Sequence, residues 1–69
     1  METSKQIKML ETYAGISEAE LARRLGMSSQ AFGQKLKRGT FTPEDLLKVA
    51  AAVGASYSSM FTFPDGTTI

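Results

Sequence analysis

The chain has 69 residues, with eight basic and seven acidic side chains, no cysteine and no histidine. This length allows one domain with a small core, and the two missing residue types exclude disulfides, thiolate or imidazole metal sites and most acid–base catalysis. No apolar run approaches the roughly 20 residues that cross a bilayer, and the N-terminus lacks the apolar segment of a signal peptide. We therefore expect a cytoplasmic protein that is not an enzyme and needs no metal or cofactor.

Start and stop signals predict four helices at about 4–14, 18–25, 29–38 and 43–53, each followed directly by a glycine. Thr3 and Ser17 each precede a Gln or Glu by three residues, which is the pattern of a capping box. Ser28 or Ser29 caps the third helix, and Thr42 caps the fourth. The chain is therefore predicted to be a mainly α, compact four-helix domain spanning 1–69.

Apolar residues recur at helical spacing in each predicted helix and form the predicted core. In chain order they are Ile7, Leu10 and Ala14; Leu21, Ala22 and Leu25; Phe32 and Leu36; and Leu46, Leu47, Ala50 and Val53.

Residues 56–69 have a different periodicity. The segment SYSSMFTF predicts an extended strand with Tyr57, Ser59, Phe61 and Phe63 on one side. The FPDG turn then predicts a second strand over 67–69, so the tail is predicted as a β-hairpin. An isolated hairpin is marginally stable. It either packs on the helices of its own chain or pairs with a second copy through Tyr57, Phe61 and Phe63, and we favour this homodimer.

Positive charge is concentrated in one part of the chain. The window 21–43 contains no Asp or Glu, and its five basic residues are Arg23, Arg24, Lys35, Lys37 and Arg38. The remainder, with three Lys and seven acids, is net negative. Such a block is either solvated surface or a face that binds a polyanion.

Two short helices joined at a glycine predict a helix-turn-helix, whose second helix reads the major groove of DNA. The segment ELARRLGMSSQAFGQKLKRG resembles the lambda-repressor and Cro class (XRE type) of transcriptional regulators. In that family ELA, a turn glycine, a following Ser or Thr and a terminal RG recur. The resemblance covers roughly 7–53 and implies a lambda-repressor-like DNA-binding domain. The family commonly has a fifth helix where this chain has its hairpin.

The outward side of the third helix carries the predicted reading residues. Gln pairs bidentately with adenine, and Lys and Arg reach guanine or phosphate. The resemblance places Ser29, Gln30 and Gln34 at base edges, and Ser17 and Ser28 at phosphates. Charge adds five backbone contacts: Arg23, Arg24, Lys35, Lys37 and Arg38. The last three are assigned by charge alone, because many family members space the inward anchors three positions apart, whereas Phe32 and Leu36 are four apart.

Two alternatives stay open for these site residues. The alternative for Gln30 and Gln34 is that they are solvated helix surface. The alternative for one of Arg23 and Arg24 is an ion pair with Glu20 or with an acid elsewhere.

The first functional hypothesis is a prokaryotic or phage-type repressor that binds a palindromic operator as a homodimer, with half-sites about 34 Å apart. The second is a protein-interaction module that keeps the helix-turn-helix frame and binds a partner such as a toxin or a phage factor. Catalysis by Glu44 and Asp45 is not favoured, since both fall in the first turn of a helix, where the dipole stabilises them.

Overall fold

In the computed structural model, which describes residues 2–69, four helices precede a small antiparallel hairpin. The chain is mainly helical, as predicted, and every helix boundary lies within two residues of its predicted position. The elements are α1 (Thr3–Ala14), α2 (Glu18–Arg24), α3 (Ser29–Arg38), α4 (Pro43–Ala52), β1 (Ser56–Tyr57) and β2 (Phe61–Thr62).

Side-chain caps begin α2, α3 and α4 at the predicted residues. Ser17, Ser28 and Thr42 each accept a hydrogen bond from the backbone N–H three positions on, at 3.0 to 3.1 Å. The Asp45 carboxylate also accepts the Thr42 N–H at 2.9 Å, which completes a capping box. These bonds satisfy N–H groups that have no partner inside the helix.

The predicted cap of α1 is wrong. Glu2 is the N-cap residue and makes no side-chain capping bond, and Thr3 is already helical. Gln6, expected to close a capping box with Thr3, is buried instead, and its Nε2 donates to the Ile69 carbonyl at 2.8 Å. A buried amide requires a hydrogen-bond partner, and here the C-terminal segment supplies one.

The core is built from all four helices and the tail. Its buried apolar residues are Ile7, Leu10, Leu21, Ala22, Phe32, Leu36, Leu46, Val49, Ala50, Phe61 and Phe63, with Ala14, Leu25 and Val53 packed at the edge. The prediction for Leu47 is wrong, because that side chain is 55% exposed while Val49 is buried. Leu46, Val49 and Ala50 follow the helical repeat, whereas Leu47 lies about 100° away from Leu46 around the axis.

The tail reverses direction once more than predicted. The prediction of one continuous strand over 56–63 is wrong, since the chain turns at 58–60 and β1 pairs with β2 in the register Ser56↔Thr62 and Tyr57↔Phe61. The predicted second segment, 67–69, does pair, through an antiparallel bridge between Thr62 and Thr68. Cross-strand partners such as Tyr57 and Phe61 place their side chains on the same face of a hairpin. The alternation of side chains along 56–63 is therefore the same for a hairpin as for one continuous strand, and the sequence pattern alone did not show the reversal.

Burial within one chain covers the aromatic residues of the tail. Phe61 and Phe63 are buried, and Tyr57 is half-buried. The ring of Phe63 lies 4.5 Å from that of Tyr13, and the ring of Tyr57 lies 4.8 Å from that of Phe61. This arrangement is the one expected if the hairpin packs on the helices of its own chain. Pairing of the hairpin with a second copy stays a prediction.

Tyr13 also fastens the final turn to α1. Its hydroxyl donates to the Asp65 carboxylate and lies 3.1 Å from the Thr67 hydroxyl. The bond from Tyr13, together with the Thr67 backbone N–H, lowers the pKa of Asp65. The tail is therefore held against the helices by polar as well as apolar contacts.

Candidate nucleic-acid interface

The junction of α2 and α3 has the local geometry of a tight helix–helix turn. Gly26 has φ of +73°, a left-handed conformation that glycine adopts without steric cost. The N–H of Met27 donates back to the Ala22 carbonyl at 2.9 Å, and the Ala22 side chain is fully buried. Ser28 then caps α3, so the orientation of α3 is set within a few residues of the end of α2.

Helix α3 has distinct inward and outward sides. Phe32 is fully buried and meets the ring of Phe41 edge-on at 6.1 Å, and Leu36 is 6% exposed. Six residues of α3 are exposed and form its outward side: Ser29, Gln30, Ala31, Gln34, Lys37 and Arg38. Gln30, Gln34 and Lys37 lie within about 60° of one another around the axis, whereas Ser29 lies about 100° from Gln30. We call Gln30, Gln34 and Lys37 the polar stripe.

The polar stripe combines hydrogen-bonding amides with positive charge. Gln34, Lys37 and Arg38 line one shallow surface groove, and residues 28–38 include no acid. An amide side chain both donates and accepts, and a Lys or Arg side chain donates to guanine or phosphate oxygen. This face is therefore chemically suited to a polyanion with hydrogen-bonding edges.

Lys35 does not share the outward direction of the polar stripe. Its Nζ lies 2.9 Å from Oδ2 of Asp45 on α4 and 5.8 Å from the centre of the Phe41 ring. The Thr42 N–H and the Lys35 ammonium lower the pKa of Asp45. The assignment of Lys35 to the DNA backbone rested on charge alone, and the structure gives that charge an internal partner.

Arg23 and Arg24 share a single carboxylate. Glu20 accepts from Arg23 at 2.9 and 2.6 Å and from Arg24 at 2.9 Å, and these bonds lower its pKa to about 2. The same pairing raises the pKa of Arg23. Both arginines therefore take the ion-pair role that was the alternative for one of them. In the described part of the chain Glu20 makes no bond to the Ser17 N–H, so that half of the predicted capping box is wrong.

The two arginines still differ in what else they contact. The Arg24 guanidinium donates at 2.9 Å to the Ala52 carbonyl at the end of α4, and its side chain is 38% exposed. The Arg23 side chain is 73% exposed. The Arg24 side chain thus links α2 to the end of α4. The Arg23 guanidinium retains N–H donors that face solvent.

Ser17 and Ser28 have confirmed capping roles. Each hydroxyl accepts an N–H of the helix that it begins, and each residue is exposed. Exposed helix N-termini favour anions through their free N–H groups and the helix dipole. Contact of either serine with phosphate stays a prediction.

One buried acidic residue of α1 was not identified from the sequence. Glu11 is buried, and its Oε2 has no hydrogen-bond partner within residues 2–69. Burial and the nearby Glu18 charge raise the pKa of Glu11, while Lys8 opposes the shift. Residues four positions apart lie on the same face of a helix, so Glu11 shares the buried face of Ile7. This spacing is the sequence feature that predicts the burial of Glu11.

Glu18 lies in a groove between α1, the start of α2, and α3. We call it the α1–α3 groove, and it is lined by Ser4, Lys8, Glu18, Gly33, Leu36 and Lys37. Oε2 of Glu18 lies 3.8 Å from the position that a Cβ on Gly33 would occupy. The Ser4 hydroxyl, which also lines the groove, donates to the Leu36 carbonyl.

Comparison of the chain with protein-family models gave no match, and comparisons with curated proteins and with solved structures gave none either. Among the helices of residues 2–69, none combines the length and apolar character needed to span a membrane. The same residues contain no group of three or more acidic side chains placed to hold a metal ion.

Proposed function

We propose that the protein is a sequence-specific regulator of transcription that binds double-stranded DNA with α3 in the major groove. The observation that carries the proposal is the acid-free outward face of α3, anchored from behind by Phe32 and Leu36. The proposed arrangement is that of the lambda-repressor and Cro class, with the C-terminal hairpin in place of a fifth helix. A prokaryotic or phage-type repressor is the specific form that we favour.

The proposed contacts divide into reading and positioning roles. Gln30 and Gln34 pair with adenine edges, Ser29 contacts bases at the start of α3, and Lys37 and Arg38 reach guanine or phosphate. Phosphates are held by Ser17 and Ser28 at the helix N-termini and by Arg23 in the last turn of α2. Lys35 and Arg24 are left out of this set because their charges are used to join helices.

A homodimer would present two copies of α3 to a palindrome with half-sites about 34 Å apart. Because Phe61 and Phe63 are buried within one chain, pairing through the tail must use its backbone edge. The bonds of the bridge are made by Phe61, Phe63, Thr67 and Ile69, so the N–H and C=O of Thr68 point away from β2. Thr68 is exposed and is the centre of the proposed pairing.

The first experiment measures binding to pooled genomic DNA at low and moderate salt, followed by selection of bound sequences from random DNA. We expect retention that weakens with salt, with a slope near −0.9 per phosphate neutralised. The Gln30→Ala, Gln34→Ala double variant should lose preference for the selected site by more than it loses general affinity. Ser59→Ala, in the exposed turn between β1 and β2, is the control. Equal preference in the double variant and the control contradicts the reading role.

A protein-interaction module is the second candidate, and one surface favours it. A groove of about 550 Å³ lies between α1 and the tail, and its lining includes Met9, Tyr13, Thr68 and Ile69. Met9 and Tyr13 are 46% and 44% exposed, which is unusual for large apolar residues that lie side by side. This candidate predicts that the protein retains no DNA at low salt and binds its partner with little dependence on salt.

A further inference from the structure

Glu18 is the acidic side chain that borders the polar stripe. It begins α2, directly after the Ser17 cap, and its carboxylate lies over Gly33 on the flank of α3. Gly33 and Lys37 are both about 60° or less from Gln30 around the α3 axis. The α1–α3 groove therefore opens beside the face that is proposed to enter the major groove of DNA, and Glu18 forms one of its walls.

The carboxylate of Glu18 is available to a ligand. Within residues 2–69 it forms no salt bridge, although Lys8 and Lys37 line the same groove. Glu20, in the same turn of α2, differs because its carboxylate is occupied by two arginines. Position at the start of α2 accounts for the presence of an acid, because the helix dipole favours one there. The helix dipole does not specify which group the carboxylate oxygens of Glu18 contact.

A carboxylate beside DNA has few possible partners. It accepts hydrogen bonds and donates none, so a phosphate repels it. In the major groove the donors are the amino groups of cytosine and adenine, and Glu pairs with N4 of cytosine. Gly33 has no side chain, so the edge of a base faces only the backbone of α3 at that point.

We propose that Glu18 is a specificity-determining residue that accepts a hydrogen bond from the amino group of a cytosine next to the bases read by Gln30 and Gln34. This inference rests on the proposed DNA-binding function. Thymine at the same position presents a carbonyl oxygen to Glu18 and is rejected, since two acceptors face each other. The groove thus adds one read position that the outward face of α3 does not cover.

The test compares selected DNA sites for the full chain and for Glu18→Gln, which preserves the length of the side chain and removes its charge. Glu44→Gln is the matched control, because Glu44 is an exposed acid in the first turn of α4. Far-UV circular dichroism and thermal unfolding establish that all three proteins fold alike. Affinities are then measured on a duplex with the selected base and on duplexes with each other base at that position.

The native chain should prefer cytosine at one position beside the Gln30 and Gln34 contacts by roughly 5- to 100-fold over thymine. Glu18→Gln should abolish that preference and leave preferences elsewhere in the site unchanged. Glu44→Gln should keep the full native pattern. The inference is overturned if Glu18→Gln selects the same site with the same preference for cytosine, or if both variants bind all DNA more tightly by the same factor. Failure of the native chain to select any site overturns the proposed function itself.

Discussion

Replacement of Gly33 by alanine should stabilise the protein, although glycine in the middle of α3 suggests a steric requirement. Gly33 is the fifth of the ten residues of Ser29–Arg38, and its φ is not positive. The nearest atom to an added Cβ is Oε2 of Glu18 at 3.8 Å, an ordinary van der Waals distance. Close packing therefore does not explain the glycine.

The magnitude follows from helix propensity. With no steric cost, the change should recover most of the difference between glycine and alanine in a helix interior, about 0.8 to 1 kcal/mol. In a domain of this size, 1 kcal/mol raises the melting temperature by roughly 4 to 8 °C. Part of the gain comes from the smaller conformational entropy of the unfolded chain.

Thermal and urea unfolding, followed by far-UV circular dichroism, measure the effect directly. Gly26→Ala is the matched control, because Gly26 also has no neighbour within 4 Å of an added Cβ but has φ of +73°. It should destabilise by roughly 1 to 2 kcal/mol through backbone strain alone. A melting temperature for Gly33→Ala at or below that of the native chain would refute the reasoning.

Two further predictions concern charged residues. Glu11→Gln should raise the melting temperature at pH 7, because the variant removes a buried carboxylate whose Oε2 lacks a partner among the described residues. The raised pKa of Glu11 means that its protonated form favours folding, so the advantage of the variant should shrink as the pH falls from that raised pKa to the ordinary pKa of 4.5. A difference in melting temperature that is independent of pH contradicts this. For DNA binding, Lys37→Ala should reduce the slope of log affinity against log salt by about 1, and Lys35→Ala should leave it unchanged. Equal slopes for the two variants would contradict the division between them.

The sequence was most informative where a structural feature depends on neighbouring residues. The caps Ser17, Ser28 and Thr42 and the glycine turn between α2 and α3 were all predicted, because each feature depends on residues within four positions of it. The inward direction of Phe32 and Leu36 followed from helical spacing in the same way. The outward face of α3, which carries the proposed function, can therefore be defined from the sequence alone.

Tertiary structure decided which charges remain available on that surface. Lys35 pairs with Asp45 ten positions away, and Arg24 donates to the Ala52 carbonyl 28 positions away. Spacing along one helix does not report on such partners, because they belong to elements whose approach depends on the packing of the whole core.

The polar groups of the interior were decided in the same way. Gln6 was predicted to close a capping box with Thr3 and instead bonds to Ile69, 63 positions away. Sequence by itself determined where helices begin, where they end and which side of each is apolar, since these follow from the 3.6-residue repeat and local hydrogen bonding. Only the folded chain determined the reversal at 58–60, the burial of Phe61 and Phe63, and the position of Glu18 over Gly33, because each depends on contacts between separate elements.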